Sequence, residues 1–490
     1  MNYELRFKSK KIAVIGVGVE GKSSAKWLRK HGAKVTLLDQ KDNKNYLKNL
    51  DQYDIIVRSA GVKRSVIEQV LSKGSKAIIT SQTKLFFDLC PSKIIGVTGT
   101  KGKGTTATLI YEMLKKDLLD AYLGGNIGKP PLDFLDTLSS QSVVVLELSS
   151  FQLLDLTRSP HIAVVLMITS EHLDYHADTN EYVHAKQNLI RFQTKKDFSV
   201  INKDYPASRG SDIHTEATVF QVSREGEVES GCFVKNGKIV IRSALRSLRQ
   251  FGDSSNSNLD QGFSLARAKL SKHDSENSLF KSAPHAKAPR ALFNEEIIKI
   301  KDILLPGRHN LENACAAVMA ALCASVSKQS ITLVLKTFQG LPHRLELAGE
   351  INGVRYYDDS FSTTPETAIA AIEAFREPEV LILGGSSKHS DFTKLGEVIY
   401  KAKNIRAIIG IGVEWERIKS AFSNQHLAFR IVEGCSSMKE IVRVASDMVK
   451  EGDVVLLSPA CASFDMFKNY KDRGEQFKKE VNGLKRSHAA

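Results

Sequence analysis

Lys103 stands between two glycines in the run from Ile94 to Ile110, "IIGVTGTKGKGTTATLI". β-Branched residues predict a strand, glycines punctuate the turn after it, and a helical pattern follows. A strand, loop and helix in that order offer a nest of backbone N–H groups to a polyphosphate. They add a lysine for the β- and γ-phosphates and a hydroxyl for Mg²⁺. The candidate phosphate loop is Gly99, Thr100, Lys101, Gly102, Lys103, Gly104, Thr105 and Thr106. The plain alternative is a glycine-rich turn before an ordinary helix, which gives a lysine flanked by glycines no role. The implied chemistry is the use of a nucleoside triphosphate.

Further residues suit the same chemistry. Glu147 ends the strand "VVVLELSS", at the edge where a second metal ligand belongs, and Mg²⁺ prefers one or two protein oxygens beside phosphates and water. His172, in "TSEHLDYH", follows the next strand beside Glu171, Asp174 and His176; it reads as part of a metal-linked loop or as an exposed histidine. Lys186 has Tyr182 and Ile190 at i−4 and i+4. It is either a surface lysine resting its stem on apolar neighbours or a buried one that sheds its charge readily. Arg344, beside His343 on a Gly-Pro turn, offers a planar fork for phosphate. "YYDDSFSTTPETA" gathers Asp358, Asp359, Ser360, Ser362, Thr363 and Thr364 where an elaborate N-cap and a binding loop are compatible. Lys388 lies just beyond a strand, and small Ala460, Cys461, Ala462 and Ser463 follow the last one. Cys461 has no evident base partner for a nucleophilic role.

The elements that must position these groups form an α/β pattern in three expected domains. Residues 1–90 open with a strand, then Gly16, Gly18 and Gly21, a helix, and a second strand ending at Asp39. This G-x-G-x-x-G fingerprint serves dinucleotides, flavins and UDP alike. Ser59 and Gly61 close another strand, where open α/β sheets place ligands. Residues 91–305 carry the phosphate loop, with a probable insert over 242–292. Residues 306–490 alternate strands such as "EVLILGGS" and "DVVLLSP" with amphipathic helices, which predicts a third parallel sheet.

Composition narrows the classes. The 490 residues are 42% hydrophobic and 25% charged, as in a globular protein. No stretch of about 18 apolar residues predicts a membrane span, and "MNYELRFKSKKIAVIG" shows no secretion signal. Six scattered cysteines without a CxxC pair read as reduced cytosolic thiols. Of the net +14, Arg242–Arg290 contributes nine Lys/Arg against four Asp/Glu. Basic residues are not interleaved with aromatics on one face, so no nucleic-acid role is expected.

The chain resembles the Mur ligase family. The motifs are the phosphate loop, "GGNIG" (Gly124–Gly128), "LELSSFQL" (Leu146–Leu153), "HLD" (His172–Asp174), "GRHNLEN" (Gly307–Asn313), "GLPHRLE" (Gly340–Glu346) and "LSPACASFDMFKNYKDRGEQF" (Leu457–Phe477). The resemblance implies a Rossmann-like UDP-binding domain, a central P-loop ATPase domain and a C-terminal Rossmann-like α/β domain. It implies a cytoplasmic, monomeric ligase of peptidoglycan synthesis that uses ATP and two Mg²⁺ to join D-glutamate to UDP-N-acetylmuramoyl-L-alanine through an acyl phosphate. Lys103 would contact the phosphates; Thr105, Glu147, His172 and a carbamylated Lys186 would hold the metals. Asn310, Asn313, Arg344 and Asp359 would complete the ATP site. Gly16, Gly18, Val19, Glu20, Gly21, Asp39, Gln40, Lys41, Ser59, Gly61 and Asn126 would take the UDP substrate. Thr363, Lys388, Ser463, Phe464 and Tyr470 would take the amino acid. Three positions depart from the family pattern: Gly104 follows the loop lysine where Ser or Thr is usual, Phe361 replaces a common lysine, and Met167 replaces an asparagine. "GTKGKGTT" also looks like the loop of folylpolyglutamate synthase, which makes a folate ligase the rival reading. An oxidoreductase built on Gly16–Gly21 would leave Lys103 and Glu147 without a role, and a non-catalytic binding protein is the reading that Phe361 and Gly104 keep open.

Overall fold

A computed structural model describes residues 4–169, 178–243, 293–387, 390–422 and 429–487. They form an α/β architecture around three sheets. The first sheet is wholly parallel: β1 (Lys11–Ile15), β2 (Lys34–Leu38), β3 (Ile55–Arg58) and β4 (Ile78–Ser81), in the order β2-β1-β3-β4. Its strands are short β-branched runs, and β1 is buried from Ile12 onward, as expected where crossover helices cover a parallel sheet.

The second sheet has nine strands in the order β13-β12-β11-β10-β9-β8-β5-β7-β6. Its parallel body is β5 (Lys93–Thr98), β6 (Ala121–Gly125), β7 (Val143–Glu147), β8 (Ile162–Val165), β9 (Phe198–Asn202), β10 (Thr218–Ser223) and β11 (Gly231–Lys235). An antiparallel end, β12 (Lys238–Ser243) and β13 (Phe293–Lys299), extends it. Arg242 pairs with Asn294 and Ser243 with Phe293, and β12 claims the first residues of the expected insert.

The third sheet, β14-β15-β19-β16-β17-β18, comprises β14 (Glu346–Ile351), β15 (Val354–Asp358), β16 (Glu379–Gly384), β17 (Ile405–Ile411), β18 (Arg430–Val432) and β19 (Val454–Leu457). It is parallel except for the β14–β15 pair. Tight turns at Asn352 and Gly353, both at positive φ, make that hairpin.

Packing corrects one boundary. The helix His309–Cys323, expected to open the third domain, buries Ala314–Leu322 against Ala107, Leu109, Ile110 and Met113 of the central layer. Its run of alanines allows close approach to the helix that follows the phosphate loop. The central core extends to Leu335, and the cores of the third sheet begin at Leu345, so the change of core falls between them rather than at residue 306.

Candidate active site

The phosphate loop leaves β5 at Thr98 and enters the helix Lys103–Lys116. Gly102, its N-cap, sits at φ +85, and a Cβ there would lie 2.2 Å from Asn313 Oδ1; only glycine permits this turn and this contact together. Asn313 accepts from Thr106 Oγ1 (3.4 Å) and donates to Asn310 Oδ1 (3.0 Å). The helix His309–Cys323 therefore braces the loop from behind. Asn310 Nδ2 in turn holds Pro306 O at 2.6 Å.

Two lysines converge on one carbonyl. Lys103 Nζ donates to Gly99 O (3.0 Å) and Thr100 O (2.9 Å), and Lys186 Nζ donates to the same Gly99 O (2.9 Å). Lys186 is 2% exposed and lies 4.5 Å from the Tyr182 ring centroid. That decides between its two readings: it is buried, on a helix whose start Asp178 caps. Thr100 is pinned as well, through its N–H to Met167 O (2.6 Å) and its hydroxyl to Thr169 O and Tyr182 OH (3.0 Å each). At position 167 the backbone carbonyl makes this contact, so the departure to methionine leaves it intact.

Glu147 ends β7 and is 6% exposed, and its Oε2 has no hydrogen-bond partner among the described residues. Burial raises its proton affinity; the nearby charges of Lys103, Arg344 and Lys186 oppose that. A buried carboxylate oxygen left open beside a phosphate loop is a fitting donor for a hard cation. The position whose Cβ would face it is 104, at 3.2 Å from Oε2, one residue before Thr105. Its neighbours explain the motif "LELSSFQL": Ser149 and Gln152 form a capping box, and Gln152 Nε2 reaches Glu20 Oε1 at 2.5 Å. Asn126 N donates to Glu147 O (2.9 Å), which places the GGNIG turn against the same strand end. His172 lies outside the described residues.

Arg344 is fixed by unusual backbone. His343 and Leu345 on either side adopt φ +63 and +45. The strained turn is held by His343 Nδ1 and Asp358 Oδ2 (2.7 Å) and by Leu345 N donating to Asp359 Oδ1 (3.2 Å). The guanidinium stacks 3.9 Å from the Phe361 ring centroid, and Phe361 meets Tyr470 edge-on at 5.0 Å. Phe361 thus supports Arg344 in place of the lysine usual there. Asp359 accepts from Ser458 Oγ (2.7 Å), and burial pushes its carboxyl up to about 7. His309, absent from the sequence-based set, belongs here too: burial, then Arg224 and Lys101, push its imidazole down to about 4. Only its place in "GRHNLEN" pointed to it.

At the first sheet, Gly16 (φ +86) and Gly21 lie where a Cβ would strike Ser59 Cβ (2.9 Å) and Gly16 O (2.0 Å), while Gly18 and Gly61 face open space. Ser59 Oγ donates to Gly16 O (2.6 Å). Asp39 accepts from Val17 N (2.7 Å) and Lys41 N (3.0 Å), and these bonds hold its carboxyl below the usual range. The acid thus ties the β1 and β2 loops together. Val19, Gln40 and Lys41 are exposed on the same edge. On the third sheet, Ser463 is buried, Thr363 and Tyr470 are half-buried, and Phe464 is exposed with its N–H on Ser386 Oγ (3.0 Å). Lys388 lies outside the described residues.

Residues 97–321 match the family model of the Mur ligase middle domain, and residues 343–461 that of the Mur ligase glutamate ligase domain. A protein of Acetivibrio thermocellus named UDP-N-acetylmuramoylalanine–D-glutamate ligase is 34% identical over 99% of this chain and 98% of its own length. One of the same name from Clostridium botulinum is 35% identical over 97% of both. Among solved structures, a MurF ligase of Thermotoga maritima in complex with ADP aligns with a TM-score of 0.53 at 16% identity, over 98% of this chain and 97% of that one. A MurF of Acinetobacter baumannii gives 0.56 at 13% identity, over 98% and 92%; these two share the fold. With full-length relatives above 30% identity and both domain models matched around this site, the chain belongs to the Mur ligase family.

Proposed function

We propose that this chain is the ATP-dependent ligase that joins D-glutamate to UDP-N-acetylmuramoyl-L-alanine in the synthesis of peptidoglycan precursors. The substrate pair follows from the names of its full-length relatives. The observation that carries the reaction class is the cluster around Gly99: two lysines on one carbonyl, facing a buried glutamate with an open oxygen.

The chemistry joins two anions before it makes an amide. The acceptor carboxylate attacks the γ-phosphorus, and the bond to the ADP oxygen breaks. The D-glutamate amine then attacks the acyl carbon and loses a proton, and phosphate leaves as the C–N bond closes. Lys103 and Arg344 are the cations that offset the crowded charge, which is worth most in a water-poor site. In this reading Lys103 exchanges the loop carbonyls for phosphate oxygens, and its two carbonyl bonds keep it pre-aimed until then. Glu147 and Thr105 would hold one Mg²⁺, and His172 with a carbamylated Lys186 a second; such ions would supply neutralisation of the crowded negative charge. A carbamate would retain one N–H, able to donate to Gly99 O, while adding oxygen donors.

The UDP end is received over Gly18 and Gly61, which leave space, with Val19, Glu20, Gln40 and Lys41 around it. Asn126, anchored to the Glu147 backbone, orients the muramoyl arm. Thr363, Lys388, Ser463 and the backbone near Phe464 and Tyr470 receive D-glutamate. Asn310, Asn313 and Asp359 shape the ATP side from behind.

Orthophosphate release with ATP, UDP-N-acetylmuramoyl-L-alanine and D-glutamate tests the proposal, run against dihydropteroate with L-glutamate. Turnover on the first pair supports it, and turnover confined to the second overturns it in favour of a folate ligase.

A further inference from the structure

Arg473 belongs to the first turns of the helix Tyr470–Ser487 and is among the largest fully buried side chains. Its guanidinium is spent on neutral oxygens of two loops. Nε donates to Ser360 Oγ (2.9 Å) and Nη2 to Ser360 O (2.9 Å); Nη2 also donates to Cys461 O (3.1 Å) and Nη1 to Ala462 O (3.3 Å). A third loop abuts these: Ser386 N donates to Ala462 O at 2.9 Å, and a Cβ at Gly385 would lie 2.2 Å from that oxygen. The three loops leave the C-terminal ends of β15, β19 and β16, which are neighbours in the sheet, where such folds place ligands.

A buried cation is a costly way to fill space, since a hydrophobic side chain of the same volume avoids its desolvation. What the planar fork adds is geometry, with several donors held at fixed angles. The held loops need holding. Ala460, buried next to the anchored carbonyls, sits at φ +60, and Ser360 Oγ passes the link on to Tyr470 O (2.8 Å).

We infer that Arg473 is a positioning residue that sets the spacing between the Thr363 and Ser463 sides of the amino-acid site by clamping Ser360 to Cys461 and Ala462. The inference rests on the function proposed above for what the site receives, while the clamp itself is independent of it.

The test compares Arg473→Lys, Arg473→Met and Ser360→Ala with the parent. Expected is a rise of about 10- to 100-fold in KM for D-glutamate in both Arg473 variants, a misplacement-sized effect, with KM for ATP and the UDP substrate moved less than about threefold. Ser360→Ala, which removes the acceptor of Arg473 Nε and the donor to Tyr470 O but keeps the Ser360 carbonyl, rises about 3- to 10-fold in the same constant. Lysine does not rescue, because it keeps charge but not the fork. Restoration of parent behaviour by Arg473→Lys, or parallel rises in all three constants, overturns the inference. Amide hydrogen exchange of residues 359–364 and 461–466 needs no turnover. Faster exchange in both loops of Arg473→Lys supports the clamp, and unchanged exchange overturns it even if the parent proves inactive on D-glutamate. Should the Arg473 variants fail to fold, Ser360→Ala decides by the same two readouts.

Discussion

Between the first and second sheets, Arg58 and Asp155 close a buried ion pair at 2.6 Å; between the second and third, Glu147 and Arg344 face each other with no ion pair closed within 4 Å among the described residues. The first junction continues in Trp27 Nε1 on Asp136 (2.9 Å) and Ser23 on Asp133 (2.7 Å). It shares one core, in which Phe7, Ile12, Val14 and Trp27 pack with Val144, Leu146, Leu148 and Ile201. The third sheet instead builds both of its cores from residues 345–481. Leu341 near Gly104 and Ala374 near Gly307 are apolar approaches between them. Groups that a neighbour already satisfies hold two units together. Charges that face without closing leave room for something charged to come between. The first junction is therefore structural, and the second is where we place ATP and propose closure over it.

Mutations at the two junctions should separate activity from stability. The largest effect is expected from Lys103→Ala, a loss of at least about 10³-fold in phosphate release, as for other cations that neutralise phosphoryl transfer. Its melting temperature should match the parent; a shared loss of fold would undo the distinction. At the other junction, Arg58→Met leaves buried Asp155 with only the longer contact to Arg64 Nη1 (3.5 Å), a cost of about 3 kcal/mol in chemical denaturation. A change below about 1 kcal/mol there would mean the junction is not welded by that pair.

Glu379 sharpens the independence of the third sheet. It opens β16, is fully buried, and neither carboxylate oxygen has a partner among the described residues. Burial first, then Glu377, raises its carboxyl to about 8. The folded state thus binds the proton more tightly than the unfolded chain. That stability is complete below the unfolded value near 4.5 and is lost as pH climbs towards 8. Between pH 6 and 9 the parent should lose about 1–3 kcal/mol that Glu379→Gln retains. If the third sheet melts on its own, only one of two calorimetric transitions will move; a shift of both would couple the units more tightly than the cores suggest. The smallest effect is Trp27→Phe, which removes one hydrogen bond for about 1 kcal/mol. Small-angle scattering should show compaction when ATP and the UDP substrate bind together, and an unchanged profile would remove closure at the second junction.

The glycine turns after β1 and β5 were legible because each depends on a conformation that few residues permit, and the place of Glu147 was legible from the β-branched strand it ends. Lys186 was not: apolar neighbours at i±4 leave a lysine free to reach solvent or to be enclosed, and the enclosing wall comes from Gly99 and Tyr182. The N-cap reading of "DDSFSTTPETA" found support, since Pro365 starts a helix with a Thr364–Thr367 capping box, and Asp359 turns inward to Ser458. Arg58 and Arg473 escaped notice because the burial of a cation is set by distant elements and not by its own segment.

The sequence by itself determined the α/β alternation, the glycine turn between β5 and the helix Lys103–Lys116, and the family, because strand periodicity, left-handed glycine turns and short motifs are local properties of a chain. Only the tertiary structure decided that the helix His309–Cys323 serves the central sheet, and that Phe361 carries Arg344. It alone showed that one junction carries a buried ion pair and a shared core, while across the other Glu147 and Arg344 close no ion pair among the described residues. Those outcomes depend on which distant surface each side chain meets, and burial and charge pairing are settled only when the elements pack.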